Sequence, residues 1–143
     1  MSADTNVKSI SKIAKWAGRI ISAVPVLLMG LGGLVVLIHP ALMVKTFNAL
    51  GYASTLVRPI ALVELACVVV YLVPRTNILG AILLTGYLGG ATASHVRAGQ
   101  PFYLPIAVGV LVWLGLYLRD LNVRALIPWR NRTPAGLPEP GHD

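Results

Sequence analysis

Apolar and polar positions along this chain fall into long blocks, not the short alternations of a soluble domain. Four apolar blocks stand out, at about 17–38, 56–73, 78–96 and 103–118. Each approaches the ~20 residues that cross ~30 Å of hydrocarbon at 1.5 Å per residue, the second and fourth being on the short side. The separators are compact. Pro74-Arg75-Thr76-Asn77 and Arg97-Ala98-Gly99-Gln100-Pro101 carry the Pro and Gly that stop one helix and start the next. Short connections make the joined helices antiparallel neighbours. The pattern therefore predicts an all-α, integral-membrane, antiparallel four-helix bundle. The longest connection, 39–55, places Met43, Phe47 and Leu50 at i, i+4 and i+7, with Gly51 positioned to end a turn. It reads as a short amphipathic helix across the outer end of the bundle, either packed at the membrane interface or covering a cavity.

Around the bundle, at 17–120, lie two flanks. Residues 1–16 are basic. Over 7–19, Lys8, Lys12, Lys15 and Arg19 recur at i, i+4, i+7 and i+11, with Val7, Ile10, Ala14 and Ala17 on another stripe. This is either a helix lying on the inner leaflet or a plain basic flank that orients the first span. The first apolar block follows these charges and runs into His39-Pro40, so it reads as a first transmembrane helix and not a cleaved signal. In the tail, 121–143, Pro128-Trp129-Arg130 suits the interface, and the Pro- and Gly-rich end suits disorder.

Composition sharpens this picture. The chain has 143 residues, 56% of them hydrophobic, and its 12% of charged residues sit at block ends. Mean hydropathy is +0.74. A net charge of +7 would suit nucleic acid, but its placement beside apolar blocks suits lipid headgroups instead. Four spans put both termini and the middle turn on one side. That side holds nine basic residues, Lys8, Lys12, Lys15, Arg19, Arg75, Arg119, Arg124, Arg130 and Arg132, against Lys45, Arg58 and Arg97 on the other. The positive-inside rule then gives N-in, C-in. The single cysteine, Cys67, excludes an internal disulfide and a C-x-x-C pair; it reads as a small buried apolar residue.

One residue breaks the apolar pattern. Glu64 stands in Pro59-Ile-Ala-Leu-Val-Glu64-Leu-Ala-Cys67-Val-Val-Val-Tyr71. An ionisable group at mid-span costs about 2.5–3.5 kcal/mol on insertion scales, so it should face protein or water and have a partner. In the third block, Gly86 and Gly90 form a GxxxG pair, expected to bring a neighbouring helix close. Thr92 and His95, at i and i+3, should share a face near the outer end. Because the second and third spans are antiparallel neighbours, Glu64, Thr92 and His95 could converge in the outer half, with Arg58 and Arg97 ringing the mouth. Glu64 and His95 are the candidate proton-handling pair, and Thr92, Arg58, Arg97 and Tyr87 the candidate ligand-binding groups. Glu64 reads equally as a structural hydrogen-bonding group, and His95 as a ring at headgroup level. No P-loop, dinucleotide fingerprint or H-E-x-x-H motif is present, and His39, His95 and His142 lack metal-ligand spacing, so no metal site is expected.

The run Gly86-Tyr-Leu-Gly89-Gly90-Ala-Thr92-Ala-Ser94-His95-Val-Arg97-Ala-Gly99, with Arg58-Pro59 ahead of Glu64 and Trp113-Leu-Gly-Leu-Tyr117-Leu-Arg119 at the end of the fourth block, resembles the DoxX-like family. The resemblance covers about residues 17–130. It implies a four-helix protein of the bacterial inner membrane, in a family named for a small subunit of a thiosulfate:quinone oxidoreductase. The leading expectation is a bundle that binds a small lipophilic molecule, a quinone first, as part of a redox complex. Its partners would be the lipid bilayer, the lipophilic molecule, and another subunit or a second copy of the chain. Two alternatives stand beside it. One is a stand-alone membrane enzyme doing acid–base chemistry, isomerisation or epoxide opening, on a lipophilic substrate. The other is a non-catalytic scaffold or assembly subunit.

Overall fold

The computed structural model describes residues 11–126, which are helical with short connections and contain no strand. The helices are α1 (Lys12–Ile38), α2 (Ala41–Ala49), α3 (Val57–Leu72), α4 (Asn77–Arg97), α5 (Tyr103–Arg119) and α6 (Leu121–Leu126), with a 3-10 turn, Ser54–Leu56, leading into α3. Two stretches, Lys12–Ile38 and Ser54–Leu72, are long and apolar enough to cross a membrane; α5 is apolar but shorter.

The boundaries follow local chemistry. The Ala14 amide donates to the Ser11 hydroxyl at 3.2 Å, capping α1. From there α1 runs unbroken to Ile38, so the described part of the expected 7–19 segment forms its first turns. Residues 7–10 and the tail from 127 onward, with the readings made for them, lie outside the described residues. Pro25 sits inside α1 on its buried side, and its ring nitrogen offers no proton to the Ile21 carbonyl. The helix stops at His39, where the following Pro40 disfavours helical backbone.

α2 occupies the connection for which the Met43, Phe47 and Leu50 spacing predicts a helix. It ends at Gly51, whose φ of +80° suits a residue without Cβ; the Tyr52 amide then donates back to the Phe47 carbonyl at 2.8 Å. Gly99, at φ +66°, ends α4 in the same way, with the Gln100 amide donating to the His95 carbonyl at 2.8 Å. At the far end, Arg124 closes α5 by donating to the carbonyls of Tyr117 at 2.6 Å and Leu118 at 3.0 Å.

α1 packs on α3 and α5, and α4 packs on the same two helices. Each pair runs antiparallel: Gly18 lies by Arg119, Gly30 by Val68, Gly80 by Tyr71 and Gly109 by Leu88. The core is Met29, Val68, Tyr71, Ala81, Leu84, Val108, Val112 and Leu116. Tyr71 ties three helices together. Its hydroxyl lies 3.1 Å from both the Ser22 hydroxyl of α1 and the Val112 carbonyl of α5, the carbonyl being an acceptor only, and the Arg119 guanidinium lies 5.3 Å from its ring centre. Outward faces are apolar instead: Ile20, Leu62, Val69, Leu72, Leu79 and Ile82 are each more than half exposed. So much contiguous apolar surface is unusual for a soluble monomer.

The GxxxG expectation is corrected. A Cβ built at Gly86, Gly89 or Gly90 meets nothing within 4 Å. The close approaches occur elsewhere. A Cβ at Gly80 would collide with the backbone of Tyr71, and one at Gly115 with Ser22. Small residues permit helices to approach but do not choose the face; here Gly86 and Gly90 border open space.

Candidate functional site

That open space is a cavity of about 1260 Å³, lined by α1, α2, α3 and α4 together with Tyr52 and Leu104. Its wall is mostly aliphatic, with Leu27, Leu31 and Val35 from α1 and Ile60 and Ala61 from α3. Met43 and Phe47 of α2 belong to its lining. Gly86 and Gly90, one helical turn apart on α4, contribute volume by lacking side chains.

Glu64, Tyr87 and His95 all line this cavity. α3 carries Glu64, and Gly33 of α1 makes room for the adjacent Leu65: a Cβ there would lie 3.1 Å from Leu65 Cδ2, and at an ordinary contact distance of 3.6 Å from the Glu64 carboxyl carbon. The Tyr87 hydroxyl donates to Glu64 Oε2 at 2.9 Å, giving the carboxyl the partner that a mid-helix ionisable group requires. His95 Nδ1 lies 2.8 Å from the Ala91 carbonyl. A carbonyl oxygen only accepts, so Nδ1 carries a proton and the ring is held by its own helix.

The connection after α2 is fastened to α4. The Ser94 hydroxyl has one proton and donates it to the Gly90 carbonyl at 2.8 Å, so in the 2.6 Å contact with Tyr52 the phenol is the donor. Arg97 donates to the Leu50 carbonyl at 2.9 Å, and its guanidinium lies 5.5 Å from the Tyr52 ring centre. Tyr52 and Ser94 were not among the sequence candidates; a tyrosine just past a helix-ending glycine carries no signal of what it will meet.

Thr92 and Arg58 lie apart from these groups. Thr92 donates to the Leu88 carbonyl at 2.8 Å and lines a second cavity, of about 560 Å³, between α4 and α5. That cavity also holds Thr85, which accepts from Trp113 Nε1 at 2.9 Å. Thr92 therefore faces a different space from Glu64 and His95. Arg58 is exposed and outside the cavity lining; Arg97 serves the α2 connection. Cys67, one turn from Glu64, is buried and free.

A family model described as the DoxX-like family matches residues 20–115. No curated protein and no solved structure matches the chain. The matched segment contains the cavity groups Glu64, Tyr87 and His95, all of the apolar stretch Ser54–Leu72 and most of Lys12–Ile38, and together the family and those helices point to a membrane protein. The chain belongs to the DoxX-like family.

Proposed function

We propose that this is a multi-pass protein of the bacterial inner membrane that holds a small lipophilic molecule in the cavity bordered by α2. α1, α3, α4 and α5 cross the bilayer as an antiparallel bundle, with both termini on the cytoplasmic side. One observation carries the binding reading: a cavity of about 1260 Å³ whose aliphatic wall is interrupted by Glu64, Tyr87 and His95. Ligand sites have this character, a mostly apolar enclosure with a few placed polar groups, and typically measure about 300–1,000 Å³. The volume here accommodates a ring and part of an alkyl tail.

A quinone-like ring is the first ligand to test, with the protein acting as a subunit of a membrane redox complex. Glu64 and His95 would exchange protons with the ring oxygens, since a carboxyl and an imidazole both change protonation readily in such roles. Tyr87 would hold the carboxyl in place. The same two groups on one cavity also serve a stand-alone acid–base enzyme, which differs in turning over substrate without a partner.

Mass spectrometry of small molecules retained after gentle detergent extraction tests the proposal. A lipophilic molecule retained at near one per chain, and lost when Gly90→Leu fills the cavity, supports it. A stable protein partner on a chain that retains nothing would replace it with the scaffold reading.

A further inference from the structure

α2 borders the cavity without being built into the bundle. Leu42, Met43, Thr46 and Phe47 belong to the cavity lining, yet α2 contains no buried residue. Among the described residues, no side chain of Ala41–Ala49 hydrogen-bonds another helix. Both flanks of the segment are joints. Pro40 has no amide proton to carry the ladder of α1 onward, and Ala53, ahead of the 3-10 turn, is in extended backbone. What fastens the segment lies past its end, on the last turn of α4. Leu50 is buried, and its carbonyl accepts from Arg97 at 2.9 Å. The Arg97 guanidinium lies 5.5 Å from the Tyr52 ring centre, and the Tyr52 hydroxyl donates to Ser94 at 2.6 Å. Arg97 itself lines neither cavity.

We infer that α2 is a hinged cover over this end of the cavity, and that Arg97 and Tyr52 form the latch that holds it shut. The cover opens when the contacts at Leu50 and Tyr52 break and the chain bends at Pro40 and Ala53. Segments with few buried contacts open locally at small cost, so a handful of bonds decides how often this one does. Arg97 is then a positioning residue. It touches a backbone carbonyl and a ring, not the cavity wall, and so sets how often the cavity is open, not what the cavity prefers. The inference extends the lipophile-binding reading by giving the cavity a controlled entrance, and its test uses no ligand.

The test is thiol labelling of the full-length protein in nanodiscs by a charged maleimide that does not cross lipid. Ala91→Cys places a thiol on the cavity wall, about 9 Å along α4 from Arg97 at 1.5 Å per residue. The native Cys67, buried and outside the lining, is the control; peptide mass mapping tells the two thiols apart. With labelling slower than reclosure, the rate reads the open fraction. Arg97→Gln should label Ala91→Cys about tenfold faster, the loss of one charge-assisted hydrogen bond and one exposed cation–π contact. Tyr52→Phe, which keeps the ring for Arg97 but loses the bond to Ser94, should label it severalfold faster. Arg97→Lys keeps the charge and a donor, and should fall between wild type and Arg97→Gln. Cys67 should label at one slow rate throughout.

Equal rates at Ala91→Cys with the latch intact and with it removed would mean that α2 does not govern access, and would overturn the inference. A rise at Cys67 in step with Ala91→Cys would overturn it too, because the whole bundle would then have loosened. These failures are separate from that of the binding reading. A chain that retains no small molecule on extraction ends the binding reading and leaves the latch; equal labelling rates end the latch and leave the binding.

Discussion

Replacing Gly80 and Gly90 by alanine should move stability in opposite directions, although both lie on α4 and both are small residues of an apolar helix. At Gly80 a Cβ would collide with the amide nitrogen and Cα of Tyr71, backbone atoms that cannot rotate away. α3 and α4 would have to separate where Tyr71, 1% exposed, also bonds α1 and α5. Overpacking of this kind costs about 1–3 kcal/mol or more. Alanine returns about 0.5–1 kcal/mol of helix preference, leaving a net loss of about 0–2.5 kcal/mol by the same two terms, toward the upper end because the atoms met are backbone. At Gly90 a Cβ meets nothing within 4 Å, so only the gain of about 0.5–1 kcal/mol remains. With about 2–4 °C of Tm per kcal/mol for a chain near this size, Gly80→Ala should melt a few degrees lower and Gly90→Ala no lower than wild type. Thermal unfolding of the three proteins in one detergent, followed by Trp fluorescence, reads the difference. Equal losses in both variants would refute the placement of Gly90 on open space and restore the GxxxG face as a packing surface.

Three further outcomes follow from the same contacts. Tyr71→Phe removes the hydroxyl that bonds Ser22 and the Val112 carbonyl and should cost about 1–3 kcal/mol, seen as a lower Tm with ligand retention intact. Glu64→Gln keeps an acceptor for the Tyr87 hydroxyl, so folded yield should match wild type while turnover or pH-dependent binding is lost; a variant identical to wild type across pH would end the proton-transfer reading. A reporter active only in the cytoplasm, fused after Asp143, should be active, and silence there with activity of a periplasmic reporter would overturn the N-in, C-in orientation.

The helices were legible because their stops are chemical: His39-Pro40, Gly51, Pro74 and Gly99 each end a helix for a reason visible in the residue itself. Glu64 was legible because a carboxylate in an apolar run has to find a partner, and Tyr87 is that partner. Rotation about the helix axis was not legible. A helix apolar on every side gives no pattern to say which face turns inward, so Gly86 and Gly90 could not be told from Gly80 as packing residues. For the same reason Thr92 and His95, three positions apart, were placed together although a boundary between two cavities falls between them. Tyr52 and Ser94 meet only because the chain past α2 folds back onto α4, a tertiary event with no local signature.

α4 has 21 residues, enough to cross a bilayer, yet it is not among the two stretches that qualify by apolarity. Its side chains show why that measure undercounts it. Thr85, Thr92, Ser94 and His95 each bond the carbonyl four residues earlier, at Ala81, Leu88, Gly90 and Ala91. A residue scale charges each of these side chains the full loss of its water, but here the helix itself takes water's place, with no second helix required. The segment is mostly apolar, and the polar side chains that lower its rating are largely sealed in conformation, so its surface is less polar than its residue list implies. The hydroxyls that border the two cavities are thereby satisfied within α4 itself, before any neighbour or ligand is counted.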